Sequence, residues 1–468
     1  MALRAARPPF WRRGIKAIAT LAPPTTPRDR RLLGIILALA AVLRLGWVLY
    51  ATRDPMNAYV SGDPGAYYVY GQGIAAGDGY VSFIDSQPTA FQPIGYPAFL
   101  AGVFWVVQHT PVPDNLPLAA TVVQAVLGTA TVGLVYAIAS RLFDNRTGLV
   151  AAAIAAIFPN LVFHTATLHL ETTFLFLVMA AVAVLTGHDW SDGPPAAGRL
   201  LSFGAVLGLS ALVRPFSLLF LGGLVVAFVV AGHGWRRALT AGGMALLPVV
   251  LLAAPWTVRN LVQMDGFVAF STNMGDTICL DRSLEATGRF TWAPHCFSGY
   301  EDVPVSKIER HRNAENTRRA LRFIREHPVR ELEQIGKRAF YMVEDDHDGL
   351  TALEIGGRDP FLGAGLRTTL TWAADWYFYV VGVLGIAGLL LFGRRPDRVF
   401  VAMALLSLVA VPLGLYGYTR FHVPWLPFLA ITAAVPITRL TGARRAPHGS
   451  QSGAGALGES APRVPFRR

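Results

Sequence analysis

Cysteine and charge are both scarce in this sequence, and each scarcity narrows the class of protein. Only two of the 468 residues are cysteines, and they form neither a Cys-x-x-Cys pair nor another compact metal set. This argues against a zinc site built from cysteines. Charged residues make up 15% of the chain and hydrophobic residues 53%, a balance too apolar for an ordinary soluble enzyme. The composition therefore predicts an integral membrane protein.

Positive charge is concentrated near the two ends of the chain. The formal net charge is +11, and much of it comes from arginines in the first and last stretches of about thirty residues. No basic–aromatic interleaving accompanies it, so the charge indicates membrane orientation and anionic headgroups and no nucleic-acid partner. Residues 1–31 and 439–468 are predicted to be disordered cytoplasmic segments, and the first is not a cleavable signal because no apolar core precedes Leu32.

Apolar runs separated by arginine-bearing turns predict an all-α polytopic fold with about ten transmembrane helices. The positive cluster before the first run places the N-terminus in the cytoplasm, and an even number of crossings returns the C-terminus there. Residues 32–257 form an N-terminal membrane module, residues 258–368 a mostly helical extracytoplasmic region, and residues 369–438 the last membrane helices. The predicted spans are 32–51, 118–142, 148–163, 168–187, 200–213, 217–231, 239–256, 370–392, 399–416 and 423–437.

The first outer loop, residues 52–117 (the first loop), is too polar and too rich in glycine and proline to cross a bilayer. Asp63 followed by Pro64 predicts the start of a short helix, on which Tyr67 lies on the same side as Asp63. A second helix from Tyr96 to Gln108 is predicted to lie at the membrane surface. Asp63 is therefore either a helix N-cap or an acid at the membrane surface with a chemical role.

Ionisable residues occur together at the outer ends of the predicted spans. Ionisable residues near or within membrane spans are energetically costly, so a cluster of them at one face indicates a functional site. Bland alternatives stay open: the arginines could reach headgroups, and Glu171 could be satisfied by a buried salt bridge. The acidic run 344–348 is more often a solvated turn than a cation site. The outer-end residues are Asp63, His164, His169, Glu171, Arg214, Arg259, Arg420 and His422.

Both cysteines, Cys279 and Cys296, fall in the polar region 258–368. An extracytoplasmic location predicts one disulfide between them, whereas a cytosolic location leaves two free thiols.

Several motifs together resemble membrane glycosyltransferases of the GT-C superfamily, in particular the bacterial branch related to protein O-mannosyltransferases and lipid A aminoarabinose transferase. Their order and topology carry the resemblance over about residues 32–437. The motifs are GDPxxY at 62–67, GDGY at 77–80, FQPIGYPAFL at 91–100, GLSALVRP at 208–215, PWTVRN at 255–260, FSTNMGD at 270–276 and YTRFHVPWLP at 418–427.

The resemblance implies a sugar donor on a polyprenyl phosphate and a catalytic base in the first loop, a role that falls on Asp63. Many relatives have two adjacent acids there, whereas here Asp63 is followed by Pro64. Asp54 or Glu171 could supply the second carboxylate, or the mechanism needs only one. The resemblance further implies phosphate binding by Arg214, Arg259, Arg420 and His422, and substrate binding by Tyr67, Tyr96 and Asn273. It implies no certain cofactor and leaves a divalent metal open.

Two other functions compete with an envelope glycosyltransferase acting on a lipid, glycan or protein acceptor. A transporter or flippase of lipid-linked saccharides would show charges at the membrane midplane or broken helices in matching halves. A membrane scaffold that binds an envelope partner would leave the first loop unexplained. The bias toward Ala, Arg and Gly suggests a bacterial plasma-membrane protein with its site on the outer face.

Overall fold

The computed structural model describes residues 26–53, 62–82, 85–111, 115–187, 190, 193–300, 302–303, 305–355 and 361–443. Apart from two isolated β-bridges, the regular elements of these residues are helices, which confirms the predicted all-α fold. The α-helices are α1 (Pro27–Ala51), α2 (Gly62–Ala76), α3 (Gly95–Gln108), α4 (Leu116–Leu142), α5 (Asn145–Ala156), α6 (Pro159–Phe163), α7 (Glu171–Leu185), α8 (Ala197–Val213), α9 (Phe220–Val230), α10 (Trp235–Gln263), α11 (Met274–Cys279), α12 (Val305–Glu326), α13 (Pro328–Met342), α14 (Asp348–Ile355), α15 (Ala364–Leu390), α16 (Pro396–Leu413) and α17 (Leu426–Ala443).

Six helical stretches are long and apolar enough to cross a membrane: α1, α4, α10, α15, α16 and residues 419–441. A seventh crossing follows if α5 and Pro159–Ala166, which meet at a 63° bend, form one broken span. The predicted spans 168–187, 200–213 and 217–231 correspond to helices α7, α8 and α9, which are apolar but shorter. The protein is thus a multi-pass membrane protein, while the predicted count of ten is not confirmed.

Two predicted boundaries differ from the helices observed. Helix α1 begins at Pro27, inside the stretch assigned to the disordered arm, because Thr26 caps it by accepting a hydrogen bond from the Asp29 backbone amide. Helix α17 continues to Ala443, several residues past the predicted end at residue 438. The rest of the two terminal segments, residues 1–25 and 444–468, lies outside the described residues.

The bend between α5 and α6 is held by a buried arginine from α1. Pro159 has no amide hydrogen to continue the helix, so carbonyl groups at the end of α5 lose their helical partners. The Arg44 guanidinium, 1% exposed, donates to the carbonyl oxygens of Ala155 and Ala156 at 3.2 and 3.0 Å. Asn160 and His164 follow this bend, and their side chains contact acidic residues of a later part of the chain.

Helices α15 and α17 approach so closely at Gly388 that a Cβ there would lie 1.8 Å from the Thr432 carbonyl oxygen. We expect Gly388→Ala to lower the free energy of unfolding by about 1–3 kcal/mol, because the two backbones would have to separate. Gly382 on the same helix has open space around it, so Gly382→Ala is the matched control. Denaturant titration in detergent measures both variants, and equal stability of the two would contradict the packing argument.

Residues 264–363 (the connecting region) join α10 to α15 and rest on the first loop. Glu309 of α12 accepts hydrogen bonds from the Thr89 hydroxyl and the Ala90 amide at 2.5 and 3.0 Å, and from the Thr272 hydroxyl at 3.1 Å. One carboxylate therefore ties the first loop to the connecting region.

Cys279 and Cys296 form a disulfide in the connecting region, as the extracytoplasmic alternative predicts. Closing a loop with a sequence separation of 17 restricts the unfolded chain. We expect Cys279→Ser with Cys296→Ser to lower the free energy of unfolding by about 3 kcal/mol. Thermal unfolding of the double variant and of the wild type with and without reductant measures the effect. An unfolding midpoint that changes neither in the variant nor in the reduced wild type would contradict the expected stabilisation.

Candidate functional site

Arg420 lies at the centre of a cluster of charged side chains assembled from distant parts of the chain. It belongs to a short 3₁₀ segment, Thr419–Trp425, that directly precedes α17. Its Nε and Nη2 donate to the two carboxylate oxygens of Glu171 at 2.6 and 3.2 Å, and its Nη1 donates to Asp63 Oδ2 at 2.7 Å. One guanidinium therefore bridges the first loop and the start of α7.

A second arginine completes the charge balance. Arg214, which follows α8, donates from Nη2 to Glu171 Oε1 at 2.9 Å. The Glu171 side chain is fully buried, whereas 41% of the Asp63 side chain is exposed. Glu171 is therefore committed to two arginines, while Asp63 keeps access to solvent and to a second molecule. We call Asp63, Glu171, Arg214 and Arg420 the charged quartet.

Polar side chains extend from Asp63 along the connecting region. Gln92 Nε2 lies 3.4 Å from Asp63 Oδ1, and Asn273 Nδ2 donates to Gln92 Oε1 at 3.2 Å. The Ser271 hydroxyl in turn donates to Asn273 Oδ1 at 2.8 Å. Asn273, predicted to bind substrate, is thus linked to Asp63 through Gln92. Gln92 itself was not among the predicted site residues, although it stands in the quoted FQPIGYPAFL motif.

The two predicted substrate-binding tyrosines have different surroundings. Tyr67 is buried one helical turn after Asp63, and burial together with the Asp63 carboxylate raises the pKa of its hydroxyl well above the usual value. Tyr96 packs edge-on against Tyr67 with ring centroids 5.0 Å apart, and its hydroxyl donates to Gln124 of α4 at 2.9 Å. Tyr96 therefore joins α3 to α4, and substrate contact by either ring stays a prediction.

Asp63 itself lies inside the first turn of α2, because the helix begins at Gly62, two residues before Pro64, where a helix capped by Asp63 would begin. Its carboxylate oxygens meet Arg420 and Gln92. The predicted acid at the end of the bundle is thus part of the charged quartet.

Two predicted phosphate ligands lie apart from the charged quartet. The Arg259 guanidinium donates to the backbone carbonyls of Thr89 and Tyr80, both at 2.7 Å, and so holds the first loop in place. Both ring nitrogens of His422 are also engaged: Nδ1 lies 2.5 Å from the Met342 carbonyl oxygen and Nε2 lies 2.6 Å from Asp346 Oδ1. These contacts do not support phosphate binding by either side chain.

Part of the acidic run 344–348 is buried, contrary to the solvated turn favoured from sequence. Asp346 is inaccessible and Asp348 is 7% exposed. Asn160 Nδ2 donates to Oδ1 of both at 2.7 Å, and His164 Nε2 lies 3.1 Å from Asp348 Oδ2. Burial raises the pKa of Asp346 to about 6; burial also opposes ionisation of Asp348, but His164 lowers the pKa of that carboxyl to about 2.

Three buried side chains, one of them Glu171 of the charged quartet, could supply ligands to a metal. Potential ligand atoms of His164, His169 and Glu171 lie within 4.8 Å of one another, and Nδ1 of each histidine lacks a hydrogen-bond partner. Imidazole nitrogens and a carboxylate suit a divalent ion such as zinc. A cation there would have to draw Glu171 from at least one arginine. Cys279, Cys296 and His295 also lie close together, but the disulfide removes the two thiolates.

Part of the sequence matches a known protein family. Residues 94–261 match a family model described as dolichyl-phosphate-mannose-protein mannosyltransferase. A search of curated protein sequences finds no match.

Among solved structures, the fold resembles the archaeal oligosaccharyltransferase AglB from Archaeoglobus fulgidus, in complex with an inhibitory peptide and a dolichol-phosphate, with a TM-score of 0.54 and 16% identity over 92% of this chain and 53% of that one. An oligosaccharyltransferase from Archaeoglobus fulgidus in complex with zinc and sulfate gives a TM-score of 0.53 and 16% identity over 88% of this chain and 49% of that one. The chain thus spans about half the length of that enzyme.

ArnT from Cupriavidus metallidurans bound to undecaprenyl phosphate matches with 17% identity over 88% of this chain and 78% of that one, but its TM-score of 0.43 is too low to carry an argument. In fold, and over residues 94–261 in sequence, the chain therefore resembles the membrane glycosyltransferases of the GT-C superfamily, as its motifs predict.

Proposed function

We propose that this protein is a membrane glycosyltransferase that moves a sugar from a polyprenyl-phosphate donor to an acceptor hydroxyl, with inversion at the anomeric carbon. The observation that carries the proposal is the charged quartet, in which a half-exposed acid shares one arginine with a fully buried glutamate. The family match and the dolichol-phosphate bound to the structural neighbour support a lipid-phosphate donor. The arginine-bearing turns support a site on the outer face of a bacterial plasma membrane.

Arg420 and Arg214 are the groups we assign to the donor phosphate. Both guanidinium groups are fixed by the buried Glu171, with 11% and 12% of their side chains exposed. Two oriented cations at one site stabilise the negative charge that grows on the leaving phosphate. Glu171, with both oxygens engaged, positions the arginines in this assignment and does not take the proton.

Asp63 is the group that we assign as general base. Its carboxylate takes the proton of the acceptor hydroxyl while that oxygen bonds to the anomeric carbon. The bond from the anomeric carbon to the phosphate oxygen breaks, and its electron pair leaves with the phosphate. A donor phosphate would compete with Asp63 for Arg420 Nη1, so donor binding would weaken the ion pair that restrains the base.

The decisive experiment measures transfer of labelled sugar by the purified protein in proteoliposomes. The panel combines polyprenyl-phosphate donors with lipid, glycan and peptide hydroxyl acceptors, and a nucleotide sugar without lipid serves as the control donor. We expect transfer from a lipid-linked donor and none from the nucleotide sugar. Transbilayer movement of an intact lipid-linked saccharide, without transfer, would instead favour the transporter alternative.

A further inference from the structure

A second buried polar cluster lies behind the charged quartet and has no part in the proposed chemistry. It consists of Asn160, His164, Asp346, Asp348 and His422 (the Asp346 cluster), all buried. Four of these side chains can carry charge, and such groups are retained in an interior only when they are paired. Here they pair with one another, and the single oxygen Oδ1 of Asp346 lies within hydrogen-bond distance of both Asn160 Nδ2 and His422 Nε2.

The Asp346 cluster joins three separate parts of the chain. Asn160 and His164 follow the bend after α5, Asp346 and Asp348 belong to the connecting region, and His422 lies in the 3₁₀ segment Thr419–Trp425. His422 is two residues after Arg420 in that segment. The contacts of His422 therefore also fix the backbone position from which the Arg420 side chain extends. A shift of Asp346 would therefore reach Arg420.

The connecting region also holds the chain on the other side of Arg420. Arg338 donates to the Leu413 carbonyl at 3.0 Å, and Arg282 donates to the carbonyls of Gly414 and Leu415 at 2.8 and 3.2 Å. These are carbonyl groups at the end of α16, where helical partners are missing. The stretch that carries Arg420 is thus fixed before and after that residue by the same region of the chain.

We propose that Asp346 is a positioning residue for Arg420, acting through His422 to hold the guanidinium between Glu171 and Asp63. The inference rests on the proposed function, because Arg420 is there assigned to the donor phosphate. Its distinctive consequence is that the Asp346–His422 contact, together with the contacts of Arg282 and Arg338 before Arg420, lets the connecting region set the geometry of the donor site.

A double-mutant cycle tests whether Asp346 acts through Arg420. We expect Asp346→Ala to lower kcat/KM for the lipid donor by about a hundredfold, since a displacement of about 1 Å has effects of that size. Asp346→Asn, which keeps an oxygen acceptor for His422 and Asn160, should restore most of the activity. In an Arg420→Lys background, Asp346→Ala should cause little further loss, because coupled residues are not additive.

Asp397 provides the matched control, since it is a buried aspartate that pairs with Arg395 at the opposite end of α16. Asp397→Ala should leave kcat/KM unchanged even if it lowers stability by as much as Asp346→Ala. Equal losses from Asp346→Ala in the wild-type and Arg420→Lys backgrounds would overturn the proposal. So would a loss of activity that Asp397→Ala reproduces.

A measurement without donor separates this inference from the proposed function. Spin labels on Val69→Cys and Tyr418→Cys, both at exposed positions, report the separation of α2 from the Arg420 segment, and the two native cysteines are closed in the disulfide. We expect a narrow distance distribution with native Asp346, a broad one for Asp346→Ala and a narrow one again for Asp346→Asn. A distribution that stays narrow in all variants overturns the positioning role, whatever the transfer assay shows.

Discussion

Asp63→Asn is expected to lower kcat for sugar transfer by about two to four orders of magnitude, because it removes the proposed proton acceptor. The amide oxygen can still accept a hydrogen bond from Arg420, so the fold should be kept. Loss of the negative charge leaves Arg420 freer to bind phosphate, and the Kd for polyprenyl phosphate should not rise. Single-turnover transfer and lipid binding to the same purified variant measure the two quantities.

Asp78 offers a matched control for this variant, since it is an exposed aspartate in the same loop, after α2. Asp78→Asn should transfer sugar at the wild-type rate. If Asp63→Asn also turned over within about threefold of the wild type, general-base catalysis by this side chain would be wrong, since even modest general-base effects exceed that factor.

Helix positions were predictable because the signals that set them are local. Apolar runs of membrane length and arginine-bearing ends lie within short windows of sequence, so hydropathy located α1, α4, α10, α15 and α16. The break at Pro215 falls between two predicted spans, whereas the break at Pro159 falls inside the predicted span 148–163 and was not predicted. Whether the shorter helices α7, α8 and α9 cross a membrane depends on tilt and packing, which hydropathy does not contain.

The four members of the charged quartet are among the eight outer-end residues named from sequence, but their pairing was not predictable. Topology placed Asp63, Glu171, Arg214 and Arg420 at one end of the bundle, and the structure brings these four together. Asp63 and Arg420 are 357 residues apart in sequence, and no local pattern indicates which carboxylate an arginine will meet. The same limit explains Arg259, whose partners are backbone carbonyls of the first loop and leave no mark in the sequence.

The acidic run 344–348 shows how tertiary contacts can reverse a local interpretation. Five consecutive polar residues resemble a solvated turn when only their composition is considered. The burial of Asp346 and Asp348 within this run depends on Asn160 and His164, more than 180 residues earlier in the chain. Those two residues are aimed at the run by the bend after α5, which Arg44 stabilises.

Glu171→Gln should be the most destabilising substitution in the charged quartet. The carboxylate is fully buried and bonded to both Arg214 and Arg420, and removing one partner of a buried ion pair costs about 3–5 kcal/mol. Arg420 keeps Asp63, whereas Arg214 loses its carboxylate partner. Denaturant titration in detergent should show a loss of this size in the free energy of unfolding. We also expect a lower kcat, because Asp63 would then be the main anion restraining Arg420.

The reason for the loss can be separated from a general effect of changing a buried residue. If uncompensated positive charge is the cause, adding Arg214→Gln to Glu171→Gln should recover part of the stability, since the double variant leaves fewer cations without a partner. Asp397→Asn, which breaks the buried pair with Arg395 at the far end of α16, should reduce stability without changing kcat. The contrary result is that Arg214→Gln destabilises the Glu171→Gln variant as much as it destabilises the wild type. Arg214 would then not depend on Glu171, and the electrostatic account of the site would be wrong.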